Sequence, residues 1–391
     1  MRVPAIVLCA ALLPGPAAAE APPEGPLQGN ADVARIGDEE RRLWDEAAEF
    51  DRLIAKTGLV DEDPGLTAYL QQVLDRMFPE FAGTLRVRVL KSSVLNAFCL
   101  PNGSIYVNRG LIARFDNEAQ LASVLAHEAS HFTLRHSLRQ HEFVKNAALL
   151  QLAAALLRVP YVWARDLLVR SSMFGYSRGL ETEADTEGFE RLKRQGYDQK
   201  EAAKVFEHLA ADLKASEAKE PPFFFSSHPK LEERIENYSR LAGENPPPGT
   251  KAEEEYLRLA GPVRLEDLEA QLALHRPASV LVALDFGKRA EGYPPQVHYY
   301  LGEAYRLRGK EGDVQLAEQS YRRCLELAAD CSLAHYGLGV LAIKRLLWAD
   351  AREHFAAFVA AAPDEAAGDD RLEFARLYLA DIERRQAPPD P

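Results

Sequence analysis

The sequence predicts a mostly α-helical protein in two parts: an α+β domain with a small sheet, followed by an α-solenoid of helical repeats. Three observations predict it. Apolar residues recur at helical spacing through most of the 391 residues, and only two short stretches alternate as strands do. A Pro/Gly-rich run, Glu244-Asn245-Pro246-Pro247-Pro248-Gly249-Thr250, divides the chain. Beyond it, small and aromatic residues return with a spacing of 34 to 37.

The bulk composition agrees with two domains. Apolar residues make up 47% of the chain and charged residues 27%, enough for real cores and too balanced for wholesale disorder. The formal net charge of -12 repels phosphate backbones, so a general nucleic-acid partner is not expected.

Taken in order, residues 1–19 read as a signal peptide. Arg2 supplies the positive start, residues 5–13 the apolar stretch, and Ala17-Ala18-Ala19 a small-residue cleavage site before Glu20. Leu8 stands before Cys9 where lipidation needs a small residue. This start places the protein in the periplasm. Residues 20–30 are expected to be a flexible leader, 31–243 the first domain, 244–250 the linker and 251–391 the repeat domain. Helices are expected over 38–56 and 65–77, and strands over 85–90 and 104–108, the second after a Pro101-Asn102-Gly103 turn.

Asn117 opens the next helix, with Gln120 three residues on as in a capping box. Residues 143–175 read as two helices broken near Pro160. A helix from about 180 ends at Gly196, 214–222 is a polar loop, and a helix over 231–241 closes the domain. The most apolar stretch, 146–157, is 12 residues long, and a membrane span needs about 20, so no transmembrane span is expected in the mature chain.

In the second part, Leu301-Gly302 and Leu338-Gly339 are 37 apart, while Ala317 and Tyr321 match Ala351 and Phe355 at 34. The three extra residues fall in the turn around 309–313. These positions resemble tetratricopeptide repeats, with His298 and His335 at the usual tryptophan position and Pro363 at the closing proline of the second repeat. Residues 278–286 fit the second helix of an earlier, degenerate repeat, and 371–384 a capping helix. Cys324 and Cys331 either bridge in an oxidising compartment or pack as two thiols.

The chemistry is carried by His127-Glu128-Ala129-Ser130-His131. On a helix, residues i and i+4 share a face, so both imidazoles reach one metal ion, and Glu128 beside the first is placed to act on water there. Leu121, Val124, Leu125 and Phe132 form the apolar stripe of this helix, with Glu128 in the middle of it. A carboxylate in that position is costly unless a charge answers it. A third protein ligand is needed, and Glu181-Thr182-Glu183-Ala184-Asp185 is the best source. Glu181 and Asp185 are i and i+4. Glu181 would bind the metal while Asp185 accepts a hydrogen bond from a ligand histidine. Composition alone would favour an acidic first turn suited to the helix dipole.

Four separated motifs settle the choice. They are residues 96–111 (NAFCLPNGSIYVNRGL); His127 to His131 with Arg135-His136; Ser177-Arg178 through Glu181 to Ala184-Asp185; and Ser227-His228-Pro229 with Arg234-Ile235. Together they resemble the family-48 zinc metallopeptidases of the HtpX, OMA and CaaX-protease types, in particular the periplasmic kind with C-terminal tetratricopeptide repeats. The resemblance covers about 85–240. It implies one Zn2+ per chain held by His127, His131 and Glu181, Glu128 as general base, and Asp185 behind a ligand. It also offers His228 as a regulatory or fourth ligand. His136 and His141 are not expected to be ligands. Cys99 and Asn102 depart from the family's usual small residue and glycine.

The implied activity is a zinc metalloendopeptidase that cleaves misfolded or stalled envelope proteins. The repeats would dock substrates or the outer-membrane assembly machinery. The strand residues Ser104, Ile105, Tyr106 and Val107 are expected to pair with an extended substrate. The alternative is a chaperone-like adaptor with a latent protease, in which case Glu128→Gln would still rescue a deletion strain.

Overall fold

The computed structural model describes residue 23 and residues 25–139, 176–215, 231–285, 293–361 and 369–386. The signal segment, the helices expected over 143–175, and His228 lie outside the described residues.

The described chain holds sixteen helices and one three-stranded sheet. Helices α1 (Asn30–Val33), α2 (Asp38–Ala55) and α3 (Pro64–Met77) come first. Asp63 caps α3 by accepting from the Gly65 and Leu66 amides at 2.8 and 3.3 Å, and Pro64 takes the first turn, where no amide is needed. Strands β1 (Arg86–Leu90), β2 (Ala97–Cys99) and β3 (Ser104–Asn108) follow, in the order β1-β3-β2. β3 runs parallel to β1, with Arg86 opposite Ser104 and Leu90 opposite Asn108. It runs antiparallel to β2, with Ala97 opposite Val107 and Cys99 opposite Ile105.

Next come α4 (Arg109–Ile112), α5 (Glu118–Thr133) and α6 (His136–Arg139). After them lie α7 (Arg178–Arg194), α8 (Glu201–Ala215) and α9 (Leu231–Ala242). The sheet sits between helices. Val87, Val89, Ile105 and Val107 join Leu70, Val73, Leu121 and Leu125 in the main core. Leu90 and Tyr106 face the other way, against Phe50 and Ile54 of α2.

This arrangement corrects the expected substrate strand. β3 is central, both its edges are paired, and all five of its residues are buried. Its side chains serve the fold: Ser104 Oγ and Asn102 Nδ2 donate to Asp51 at 2.7 and 2.9 Å, and Tyr106 donates to it at 2.6 Å. The run Ser-Ile-Tyr-Val-Asn is that of a strand covered on both faces.

The leader is pinned over its described residues as well. Leu27 is buried, its amide donates to the Thr133 carbonyl at 2.8 Å, and Arg135 donates to the carbonyls of Pro23 and Gly25. In place of a flexible segment, these residues back the end of α5.

At the start of α5, the Asn117 side chain accepts from the Gln120 amide at 3.1 Å. The Gln120 side chain reaches back to the Asp116 amide at 2.9 Å, one residue before the position a capping box requires. Both amide side chains also donate to Glu201, from 2.9 and 2.7 Å. Burial opposes the charge of Glu201, yet donation from Asn117, Lys204, Gln120 and Lys251 holds its pKa down to about 2. A depressed carboxylate contributes stability that is present above its unfolded pKa of 4.5 and lost as pH falls through about 2. Glu201→Gln is therefore expected to remove roughly 3 kcal/mol at neutral pH. It should also flatten the decline of stability between those pH values. Urea denaturation across the acid range reads both effects.

The second part contains α10 (Glu253–Ala273), α11 (Pro277–Ala283), α12 (Gln296–Arg308) and α13 (Asp313–Leu327). It ends with α14 (Ser332–Lys344), α15 (Trp348–Ala360) and α16 (Asp370–Gln386). The repeat positions pack as their spacing implies. A Cβ on Gly302 or Gly337 would stand 2.5 Å from the ring of Tyr321, and one on Gly339 would stand 2.8 Å from Phe355. Cys324 and Cys331, buried at the turn between α13 and α14, form a disulfide. A bridge closing so short a loop contributes about 2–3 kcal/mol. Replacing both cysteines by serine is expected to lower the thermal midpoint, and reduction of the parent should do the same. An unchanged melt would refute the bridge.

The boundary between the parts is not where the linker suggests. Tyr256, Ala260 and Val263 of α10 belong to the main core of the first domain. Tyr256 donates to the Ile112 carbonyl at 2.6 Å and Arg264 to the Phe115 carbonyl at 2.7 Å. Arg114, 1% exposed, donates to Asp267 at 2.5 Å. The end of the linker is docked too, since the Thr250 amide donates to the Gly196 carbonyl at 2.8 Å.

Candidate metal centre

Helix α5 is buried on every side, so its polar residues must find partners inside the protein. α7 crosses it closely. A Cβ on Gly188 would lie 3.0 Å from the His127 amide nitrogen and 3.2 Å from the His127 Cα, so glycine permits the approach. That approach brings Glu181 and Asp185, one helical turn apart, to the two histidines.

His127, His131 and Glu181 form the one group of three or more potential ligands that converge among the described residues, all buried. The Nε2 atoms of His127 and His131 are 3.1 Å apart, and each lies 3.5 Å from a Glu181 carboxylate oxygen. Ligands about 2.0–2.2 Å from a tetrahedral zinc-sized ion are separated by about 3.3–3.6 Å; the two edges to Glu181 fall in that range, and the 3.1 Å edge between the histidines is slightly short of it.

The far nitrogen of His127, Nδ1, lies 2.9 Å from Asp185. Asp185 is itself held by Arg234, from Nη2 at 2.5 Å and Nε at 3.2 Å, and by the Tyr238 hydroxyl at 2.8 Å. Burial raises the Asp185 carboxyl, but Arg234 and the His127 hydrogen bond overcome it and leave a pKa of about 2. Burial and Arg234 oppose a charge on His127, while Asp185 and Glu181 outweigh them and lift its pKa to about 9. Arg234 is buried, with its guanidinium 4.3 Å above the ring of Phe206.

Glu128 is 1% exposed, between the two histidines in the same helix. Burial, Glu128 and Asp51 push the Cys99 thiol up, so it stays protonated and is no rival nucleophile.

Sequence reasoning missed three supports. Arg234 and Tyr238 have no role on sequence grounds, although Leu231, Arg234 and Tyr238 recur at helical spacing on α9. An arginine in such a stripe signals a buried acid. His136 was set aside as a non-ligand, yet its Nδ1 lies 3.0 Å from His131 Nδ1.

Two helices that cross at a glycine, one carrying His-Glu-x-x-His and the other a glutamate that converges on the two histidines, have the arrangement of metal-dependent hydrolases in which three side chains hold the ion. Residues 64–242 match the model of peptidase family M48. The chain is 27% identical over 277 residues to a beta-barrel assembly-enhancing protease of Yersinia pestis, covering 65% of this chain and 56% of that protein. It is 28% identical over 209 residues to the protein of that name in Escherichia coli K12, covering 50% and 42%. It is also 30% identical over 173 residues to the mitochondrial metalloendopeptidase OMA1 of Schizosaccharomyces pombe, covering 43% and 51%. The chain thus spans about half the length of the curated relatives it matches. Among the described residues, no helix is long and apolar enough to cross a membrane.

Proposed function

We propose that this protein is a zinc-dependent endopeptidase of the bacterial periplasm, acting on misfolded or stalled envelope proteins, with its repeats docking substrates or assembly partners. The observation that carries the reading is a buried carboxylate, Glu128, lying beside a convergent set of two imidazoles and one carboxylate. The names of the relatives support the envelope setting, and the signal-like start of the sequence supports export.

His127, His131 and Glu181 would hold the ion. The chemistry a zinc ion would supply there is Lewis acidity toward the scissile carbonyl and toward the attacking water. Glu128 takes the proton of the attacking water and delivers it to the leaving amine. Asp185 accepts from His127 Nδ1 and so keeps Nε2 turned toward the ligand set.

An extended substrate adds to the outer edge of β2 in this reading, in place of β3. Among the described residues, β2 has β3 as its one strand neighbour, and it packs against α5, the helix that carries Glu128. The test is cleavage of an unfolded protein by the purified, zinc-loaded mature chain. Cleavage should stop with a chelator and return with zinc. Cleavage that a chelator leaves untouched would refute the assignment.

A further inference from the structure

We infer that His136 is a positioning residue for the metal centre: its Nδ1 accepts the Nδ1–H of His131 and thereby fixes which nitrogen of His131 faces the metal. The inference rests on the metal-site reading above and names a residue that reading does not use.

The argument starts at His131. Its Nε2 is the atom that meets His127 and Glu181, so the lone pair needed for a metal must sit there. A neutral imidazole with an Nε2 lone pair carries its hydrogen on Nδ1. That hydrogen points at His136 Nδ1, 3.0 Å away. His136 must then accept through Nδ1 and carry its own hydrogen on Nε2. Its Nε2 lies 3.6 Å from Glu183, whose carboxylate is gripped by Arg139 at 2.6 and 3.0 Å. The direct hydrogen bond in the order Arg139, Glu183, His136, His131 is the one between the two histidines; His136 Nε2, 3.6 Å from Glu183, has no hydrogen-bond partner and meets that carboxylate only through its charge.

Two further features hold the pair in place. Tyr176 stacks on the His131 ring with centroids 3.9 Å apart and planes 15° from parallel. Its hydroxyl meets Ser137 Oγ at 2.9 Å, next to His136. The backbone is also bent to bring His136 back under His131. Arg135 has φ 56°, in the left-handed region that an arginine seldom adopts. That conformation costs of order 1 kcal/mol or more, and it persists because the Arg135 side chain is held by Glu40 at 2.6 Å and by the carbonyls of residues 23 and 25. His136 is completely buried, so the bend places an imidazole where solvent contributes nothing to its hydrogen bonds. The two histidines have matched supports: His127 gives its Nδ1–H to Asp185, and His131 gives its own to His136.

The experiment measures zinc affinity by competition with a chromophoric chelator, using zinc alone as the probe. The mature chain is compared with His136→Phe, His136→Asn and Glu183→Gln. His136→Phe removes the acceptor and is expected to weaken zinc binding by about 10- to 100-fold. The amide oxygen of His136→Asn occupies nearly the place of Nδ1 and is expected to restore most of the loss. Glu183→Gln, at the half-exposed end of the chain of contacts, should give a smaller weakening of the same sign. Melts of the metal-free proteins show whether each variant is folded. If His136→Phe is unfolded, the comparison of His136→Asn with Glu183→Gln decides: asparagine near parental affinity with glutamine weakened supports the relay. Zinc bound equally by the parent and a folded His136→Phe overturns the inference alone, and so does equal weakening by phenylalanine and asparagine. A parent that binds no zinc overturns the metal-site reading itself.

Discussion

Glu128→Gln is expected to lower turnover of an unfolded substrate by about 10²- to 10⁴-fold, with zinc content unchanged. The amide keeps the size of the carboxylate and removes its ability to take a proton. The loss corresponds to about 3–5 kcal/mol of transition-state stabilisation. It should appear in kcat as well as in kcat/KM, because the proton is moved only as the bond changes. Since Glu128 is not among the three converging ligands, zinc content by elemental analysis should match the parent. Turnover within twofold of the parent would remove Glu128 from the base role. Loss of zinc along with activity would make it a ligand instead.

Arg234→Met is expected to destabilise the metal-free chain by about 3–5 kcal/mol. Arg234 and Asp185 are both nearly inaccessible, at 4% and 2%. Methionine would fill much of the space beside Phe206 but leave the Asp185 carboxylate buried with only His127 and Tyr238 to answer it. Removing one partner of such a pair costs far more than removing both. Arg234→Met with Asp185→Leu should therefore be less damaging than the sum of the two single changes by more than 1 kcal/mol. Urea denaturation of the four proteins measures this coupling. Additive losses would mean that the two charges are not energetically paired.

The sequence made the metal helix legible because its signals are local. A cap at Asn117, a stripe at helical spacing and two histidines one turn apart all lie within seventeen residues' reach of one another. Glu181 and Asp185 were ambiguous on composition and gained their meaning from the separated motifs around them. The supports of the site were harder to see. His136 reaches His131 only because Arg135 leaves the helical conformation, and Arg234 reaches Asp185 only because α9 packs across α7. Neither event has a short-range signature. β2 is three residues long, too short for alternation to show. The error over β3 was avoidable in part, since a continuous apolar run points to a covered strand, and a covered strand has no edge to offer.

The sharing of α10 between the two parts has a practical meaning for anyone dividing this protein. A fragment ending at residue 250 would lack Tyr256, Ala260 and Val263 from its own interior. It would also lose the groups that hold the carbonyls of Ile112 and Phe115, on the turn that feeds directly into the metal-bearing helix. Burying one side chain of the size of Tyr256 is worth about 2–3 kcal/mol, a large part of a typical domain's margin. The first part is therefore not a cassette that can be lifted out or grafted onto other repeats at the proline-rich boundary. A portable version would have to carry α10 with it, and a foreign solenoid would have to be joined after residue 273.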